Sequence, residues 1–165
     1  MTGKPGAAAT GRITLERTWK AAVEDVWDLW TTKAGIESWW GPEGFRVEVR
    51  ALELRPGGEL RYAMIACAAP QIEFMKRAGM PLVVETRITY DEIVPLRRLC
   101  YTNRADFIPG VAPYDVGTVV ELHPGPAGVR MVLTFDAMHS EEWSQRQAAG
   151  WESELRKLAT VLTAA

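Results

Sequence analysis

A carboxylate, an imidazole and a hydroxyl stand close together in the segment DAMHS, as Asp136, His139 and Ser140. An acid, a base and a nucleophile are the parts of a catalytic triad, but a triad has to converge in space. These three straddle the end of a strand-like run and the start of a helical one, so their side chains diverge. Ser140 stands where the helix begins and is read as its N-cap. No catalytic residue is assigned. The other histidine, His123, lies beside a Pro-Gly turn, too far from His139 and from flanking carboxylates to make a metal site. Arg55-Pro56-Gly57-Gly58 is a hairpin turn rather than a phosphate loop, and no Walker motif or basic stripe is present. No cofactor and no nucleic-acid partner are called for.

The remaining polar candidates sit on strands. Glu85 and Arg87 share one strand face. They read as a solvent-side charge ladder or, more sharply, as polar anchors inside a cavity, with Arg87 holding a ligand carboxylate. Asn103 is a third anchor near the mouth. The apolar candidates follow strand alternation. Leu60, Tyr62, Met64, Ile88, Tyr101, Met131, Leu133 and Phe135 take the phase expected to face a helix. Trp40 and Phe45 would close one end of that space, and Met75 and Phe107 the other. Met and aromatic side chains suit a pocket that adapts to its guest, although each residue taken singly also reads as ordinary core.

The elements that would position them are legible from periodicity. Val23, Val26, Trp27 and Trp30 repeat at helical spacing, as do Ile36, Trp39 and Trp40 after a break at Thr31-Thr32. This region holds four of the seven tryptophans, and so many indoles need a large apolar surface opposite them. Ile13 to Trp19 reads as a first strand. In Phe45 to Leu54 the apolar phase slips, which one extra residue near Ala51, a β-bulge, would reconcile. Strands follow at Leu60–Met64, 83–94, 99–105, 116–122 and 129–138. A short helix is inserted over Pro70 to Met80, and its position between two strands suggests a lid. The loop DFIPGVAPYD is a second rim element. From Ser140 onward the period becomes helical, with Trp143 at its start and Ala148, Trp151, Leu155, Leu158 and Leu162 as its stripe. The order predicts an α+β fold, a curved antiparallel sheet with a long terminal helix.

Several of these pieces occur together in one family. VEDVWDLWT, WWGPEGF, LRPGGELRYAM, YDEIVPLRRLCYT and GWESELRKL resemble, in order, the activator-of-Hsp90-ATPase homologue family. That family lies within the START-like, Bet v1-like helix-grip superfamily. PQIEFMKRAGMPL and ADFIPGVAPYDVGTVVEL look like the subgroup of the calicheamicin self-sacrifice resistance protein. The resemblance spans about Arg12 to Leu162. It implies seven curved strands gripping the C-terminal helix over an apolar cavity. The expected organisation is a disordered tail over residues 1–11 and one helix-grip domain over residues 12–165.

The 165 residues carry a net charge of −2, with 47% hydrophobic and 24% charged content. That is an ordinary globular balance, with no pull toward nucleic acid or anionic membrane. Cys67 and Cys100 lie in strand-like segments and are expected to be buried thiols. No run reaches the length of a membrane span, and the weak N-terminal stretch suggests a cytoplasmic protein. The expected function is non-catalytic binding of a small hydrophobic or amphipathic molecule. The ligand set is Trp40, Phe45, Tyr62, Met64, Met75, Ile88, Tyr101, Phe107, Met131, Leu133, Phe135, Trp143 and Trp151, with Glu85, Arg87 and Asn103 as anchors. A polyketide cyclase- or hydrolase-like enzyme using Tyr101, Glu85 and Arg87 is the first alternative. A chaperone-interacting module is the second. A homodimer is compatible with all three.

Overall fold

The computed structural model describes residues 11–106, 108 and 110–164. Residues 1–10 of the expected tail and Phe107 lie outside the described residues. The elements run β1 (Arg12–Trp19), α1 (Val23–Thr31), α2 (Lys33–Trp39), β2 (Phe45–Leu52), β3 (Glu59–Ala66) and α3 (Ala69–Arg77). They continue with β4 (Val83–Val94), β5 (Arg98–Ala105), β6 (Tyr114–Gly125), β7 (Gly128–Asp136) and α4 (Glu141–Ala164). All strands join one antiparallel sheet in the order β1-β7-β6-β5-β4-β3-β2. β2 to β7 form a meander in chain order, and β1 closes on the far side of β7. This is the α+β arrangement expected from the pattern of elements, and the helix grip that the family resemblance implies.

Local chemistry explains the boundaries. Thr32 separates α1 from α2: its hydroxyl donates to the Asp28 carbonyl at 2.8 Å and accepts from the Gly35 amide at 3.0 Å. Gly35 is required at this corner, because a Cβ there would stand 2.3 Å from the Asp28 carbonyl oxygen. The slip in β2 is a bulge: Val49 faces Tyr62 and Ala51 faces Arg61, so Arg50 is the additional residue. Ser140 Oγ accepts from the Trp143 amide at 3.2 Å and caps α4.

The core lies on the concave side of the sheet. Trp30 and Trp39 meet edge to face at 4.7 Å, and Trp30 also approaches Trp151 of α4 at 6.0 Å. Trp39 Nε1 donates to the Leu29 carbonyl at 2.7 Å, which satisfies the one polar atom of that buried ring. Val26, Ile36, Leu155 and Leu158 join them against Val129, Met131, Leu133 and Phe135. A smaller cluster of Ala105, Ile108, Val116 and Met138 packs with Tyr114 and Trp143 near the start of α4. Ile108, in the DFIPGVAPYD loop read as a rim element, is therefore buried.

Both thiols depart from expectation. Cys67 is exposed, just beyond the end of β3, and Cys100 takes the outward phase of β5 and is only half-buried. Among the described residues no helix is long and apolar enough to cross a membrane.

Candidate functional site

The N-terminal half of α4 does not close on the sheet. A cavity of about 370 Å³ remains beneath it. Tyr62 and Met64 of β3, Ile88 of β4, Tyr101 and Asn103 of β5, and Val116 and Thr118 of β6 line the sheet side. Trp143, Arg146, Gln147, Gly150, Trp151 and Glu154 line the helix side. Trp40, Gly41 and Pro42 form an end wall, and Met138 lies near the α4 start. Trp40 meets Tyr62 edge to face at 5.3 Å and lies 6.2 Å from Tyr101. The interior is thus mainly apolar, with five aromatic rings and the polar side chains of Asn103, Thr118, Arg146, Gln147 and Glu154.

Eight of the expected residues border this space: Trp40, Tyr62, Met64, Ile88, Tyr101, Asn103, Trp143 and Trp151. Others are placed elsewhere. Met131, Leu133 and Phe135 are fully buried in the tryptophan-rich core, because α1, α2 and the second half of α4 plug the trough above β7. Phe45 is half-buried and does not line the cavity. Met75 is buried in α3 rather than over the mouth. The insert is tied to the Gly44 corner, where the Gly44 carbonyl accepts from the amides of Cys67 and Ala68 at 2.9 and 3.1 Å. Glu85 and Arg87 are exposed on the outward face of β4, in the phase opposite to buried Ile88. They are not cavity anchors. Glu85 pairs with Arg50 at 3.1 Å, as a solvent-side ladder would.

The polar centre of the cavity is a residue not singled out from the sequence, Glu154. Burial pushes its carboxyl up to about 8, opposed by Lys157 and by a hydrogen bond from the Gly41 amide. Burial also raises the phenols of Tyr62 and Tyr101, and the charge of Glu154 adds to both shifts. Thr86 beside Tyr62 and Thr118 beside Tyr101 pull the other way. Trp40 Nε1 and Gln147 Oε1 are buried without a hydrogen-bond partner, a cost ordinarily offset by a guest, a water or a local shift.

One helix turn fastens the end wall. Lys157 Nζ donates to the carbonyls of Gly41 (2.8 Å), Phe45 (3.2 Å) and Trp40 (3.4 Å). Ser153 Oγ accepts from the Glu43 amide at 2.8 Å. With Glu154 on Gly41, three residues of the GWESELRKL segment hold the WWGPEGF segment in place. A signal for Glu154 was present in the spacing. Trp143, Gln147, Gly150, Trp151 and Glu154 recur on one helical face, so the acid belongs to the stripe that meets the sheet.

The DAMHS side chains are spent on structure. Asp136 accepts from the Gly117 amide at 2.8 Å and from Arg12 at 3.1 Å. His139 Nδ1 lies 2.8 Å from the Tyr114 hydroxyl, and Ser140 caps α4. Among the described residues no three His, Cys, Asp or Glu side chains gather to hold a metal ion.

The family described as "Activator of Hsp90 ATPase homolog 1-like protein" matches residues 20–163. The chain belongs to this family. No curated protein matches it significantly. Among solved structures, a protein from Chromobacterium violaceum is 25% identical, with a TM-score of 0.73 over 92% of this chain and 96% of that one. A family member from Silicibacter pomeroyi is 22% identical, with a TM-score of 0.70 over 93% and 98%. One from Aeromonas hydrophila is 20% identical, with a TM-score of 0.71 over 93% of each chain. The likeness covers the whole grip of sheet and helix, including the elements around the cavity.

Proposed function

We propose that this family member binds a small amphipathic molecule in the space under α4, without transforming it, in a cytoplasmic setting. The observation that carries the reading is the position of Gly150. It lies in mid-helix and lines the cavity, and a Cβ placed there meets no atom within 4 Å. A glycine in that position costs about 0.5–1 kcal/mol relative to alanine, and packing gives no reason for it. The room it leaves is continuous with a cavity of about 370 Å³, within the range of small-molecule sites. Burying roughly 150 Å² of a guest's apolar surface there would contribute about 4 kcal/mol. Glu154, mostly protonated at neutral pH, and Asn103 supply hydrogen bonds to orient it.

The test is titration with N-phenyl-1-naphthylamine, followed by its fluorescence, in the wild-type protein and in Gly150→Leu. Saturable enhancement in the wild type, lost in a variant that melts at least as high, is the expected result. Equal enhancement in both, or none in the wild type, removes the reading.

One observation favours a second reading, an enzyme of cyclase or hydrolase type. An acid whose titration burial pushes up to about 8, beside half-buried Tyr62 and buried Tyr101, is suited to proton transfer. Turnover of p-nitrophenyl esters that vanishes in Glu154→Gln, with naphthylamine binding intact, would support it; turnover unchanged in that variant excludes Glu154 as the acid.

A further inference from the structure

The outward face of the sheet is laced with ion pairs between neighbouring strands. Arg12 meets Asp136 at 3.1 Å, Arg130 meets Glu16 at 3.3 Å, and Arg98 meets Glu121 at 2.6 Å. Each cation on these strands faces an acid, which is how an exposed sheet ordinarily tolerates charge. The pattern breaks between β3 and β4. Arg61 stands directly opposite Arg87 in register, so two like charges oppose one another at a spacing where they destabilise the pair. Among the described residues Arg61 makes no ion pair, and Arg87 reaches only Glu59, at 4.0 Å.

Two further guanidiniums extend the row. Arg50, the additional residue of the β2 bulge, lies on one side and Arg104 of β5 on the other. The four arginines border a depression of about 410 Å³, together with Glu85 and Asp106. Four cations thus surround the space against two carboxylates. Glu85 is already engaged by Arg50 at 3.1 Å, and Arg104 is paired with Asp115 at 3.2 Å. The least compensated charge is at the centre, on Arg61, which has no ion pair among the described residues, and on Arg87, whose one acid, Glu59, stands at 4.0 Å. Folding alone gives no reason to place them there.

We propose that this depression is a binding site for a small polyanion carrying a phosphate or diphosphate group, gripped by Arg61 and Arg87 with Arg50 and Arg104 flanking. The planar guanidinium fork matches phosphate oxygens two at a time, and an anion between two opposed arginines converts their repulsion into shared attraction. The bordering carboxylates of Glu85 and Asp106 limit the occupant to a compact one. An extended acidic chain crossing the depression would run against them. The site is on the opposite side of the sheet from the cavity under α4, and it stands or falls independently of that cavity.

The experiment is thermal melting and titration calorimetry with sodium pyrophosphate at low ionic strength. It compares the wild type, Arg61→Gln, Arg87→Gln, and Arg98→Gln as a control outside the depression. Pyrophosphate should raise the wild-type and control melting temperatures saturably, and affinity should fall at least about tenfold in either central variant. Without ligand, Arg61→Gln should melt no lower than the wild type, because a repulsion has been removed. Both central residues are exposed, so these variants fold. Absence of saturable binding to the wild type up to about 10 mM overturns the proposal. So does equal affinity for wild type and Arg61→Gln, or tighter binding of an oligoglutamate peptide than of pyrophosphate.

Discussion

The two halves of α4 lie over the same sheet and meet it differently. The second half sends Leu155 and Leu158 into contact with the tryptophan-rich core, where both are almost wholly buried. The first half presents Trp143, Gln147, Gly150 and Trp151, with Glu154 just past the midpoint, and leaves about 370 Å³ unfilled. Helix geometry is the same in both. What differs is side-chain volume and polarity at equivalent positions of the stripe. A cavity in this fold is therefore made by withholding leucine from one stretch of a helix, while another stretch supplies the stability.

The contrast predicts a graded set of effects. Leu158→Ala, in the filled half, should cost about 3 kcal/mol in urea denaturation, from lost burial plus the void it leaves. A cost below about 1 kcal/mol would mean that this half is not tightly filled. Lys157→Met, at the junction, leaves three backbone carbonyls without their charged donor and should cost about 2 kcal/mol. The same variant should loosen the Trp40–Phe45 wall, seen as faster amide exchange at Gly41.

Glu154 gives a pH signature. Its folded value, about 8, lies above its ordinary value of 4.5. Below that ordinary value both states hold the proton, and the contribution to stability is fully present. As pH rises toward 8 the unfolded chain gives up the proton first, and stability falls. Glu154→Gln should therefore match the wild type near pH 4 and exceed it by at least about 1 kcal/mol at pH 8. Parallel stability curves would show that the carboxyl is solvated. The smallest effect belongs to the open half. Gly150→Ala should gain about 0.5–1 kcal/mol, since its methyl enters free space on a helix. A loss would mean that the space is already occupied.

Features set by neighbours in the chain were legible without coordinates. The bulge after Val49, the Ser140 cap and the succession of strands along the chain follow from apolar phase and from the hydrogen bonds a short segment makes to itself. The same alternation placed Glu85 and Arg87 opposite in phase to Ile88, and reading that phase strictly assigns them to solvent. Met131, Leu133 and Phe135 have the correct inward phase, but phase does not say which part of a trough a helix pair will fill. Glu154 was hardest to read. A glutamate within a helical stripe looks like an exposed charge, and its burial depends on Gly41 and Lys157, which only the tertiary fold brings to it.

The pairing of β1 with β7 sets the timetable of folding. Arg12 aligns with Asp136 and Trp19 with Val129, so the first strand of the sheet has its neighbour, among the described residues, in the last strand. Until translation passes that point, β1 is an unsatisfied ribbon beside a growing meander, and such distant closures slow folding and invite intermolecular pairing. Cooler expression, which weakens adventitious hydrophobic association during that wait, should raise the yield of correctly folded material.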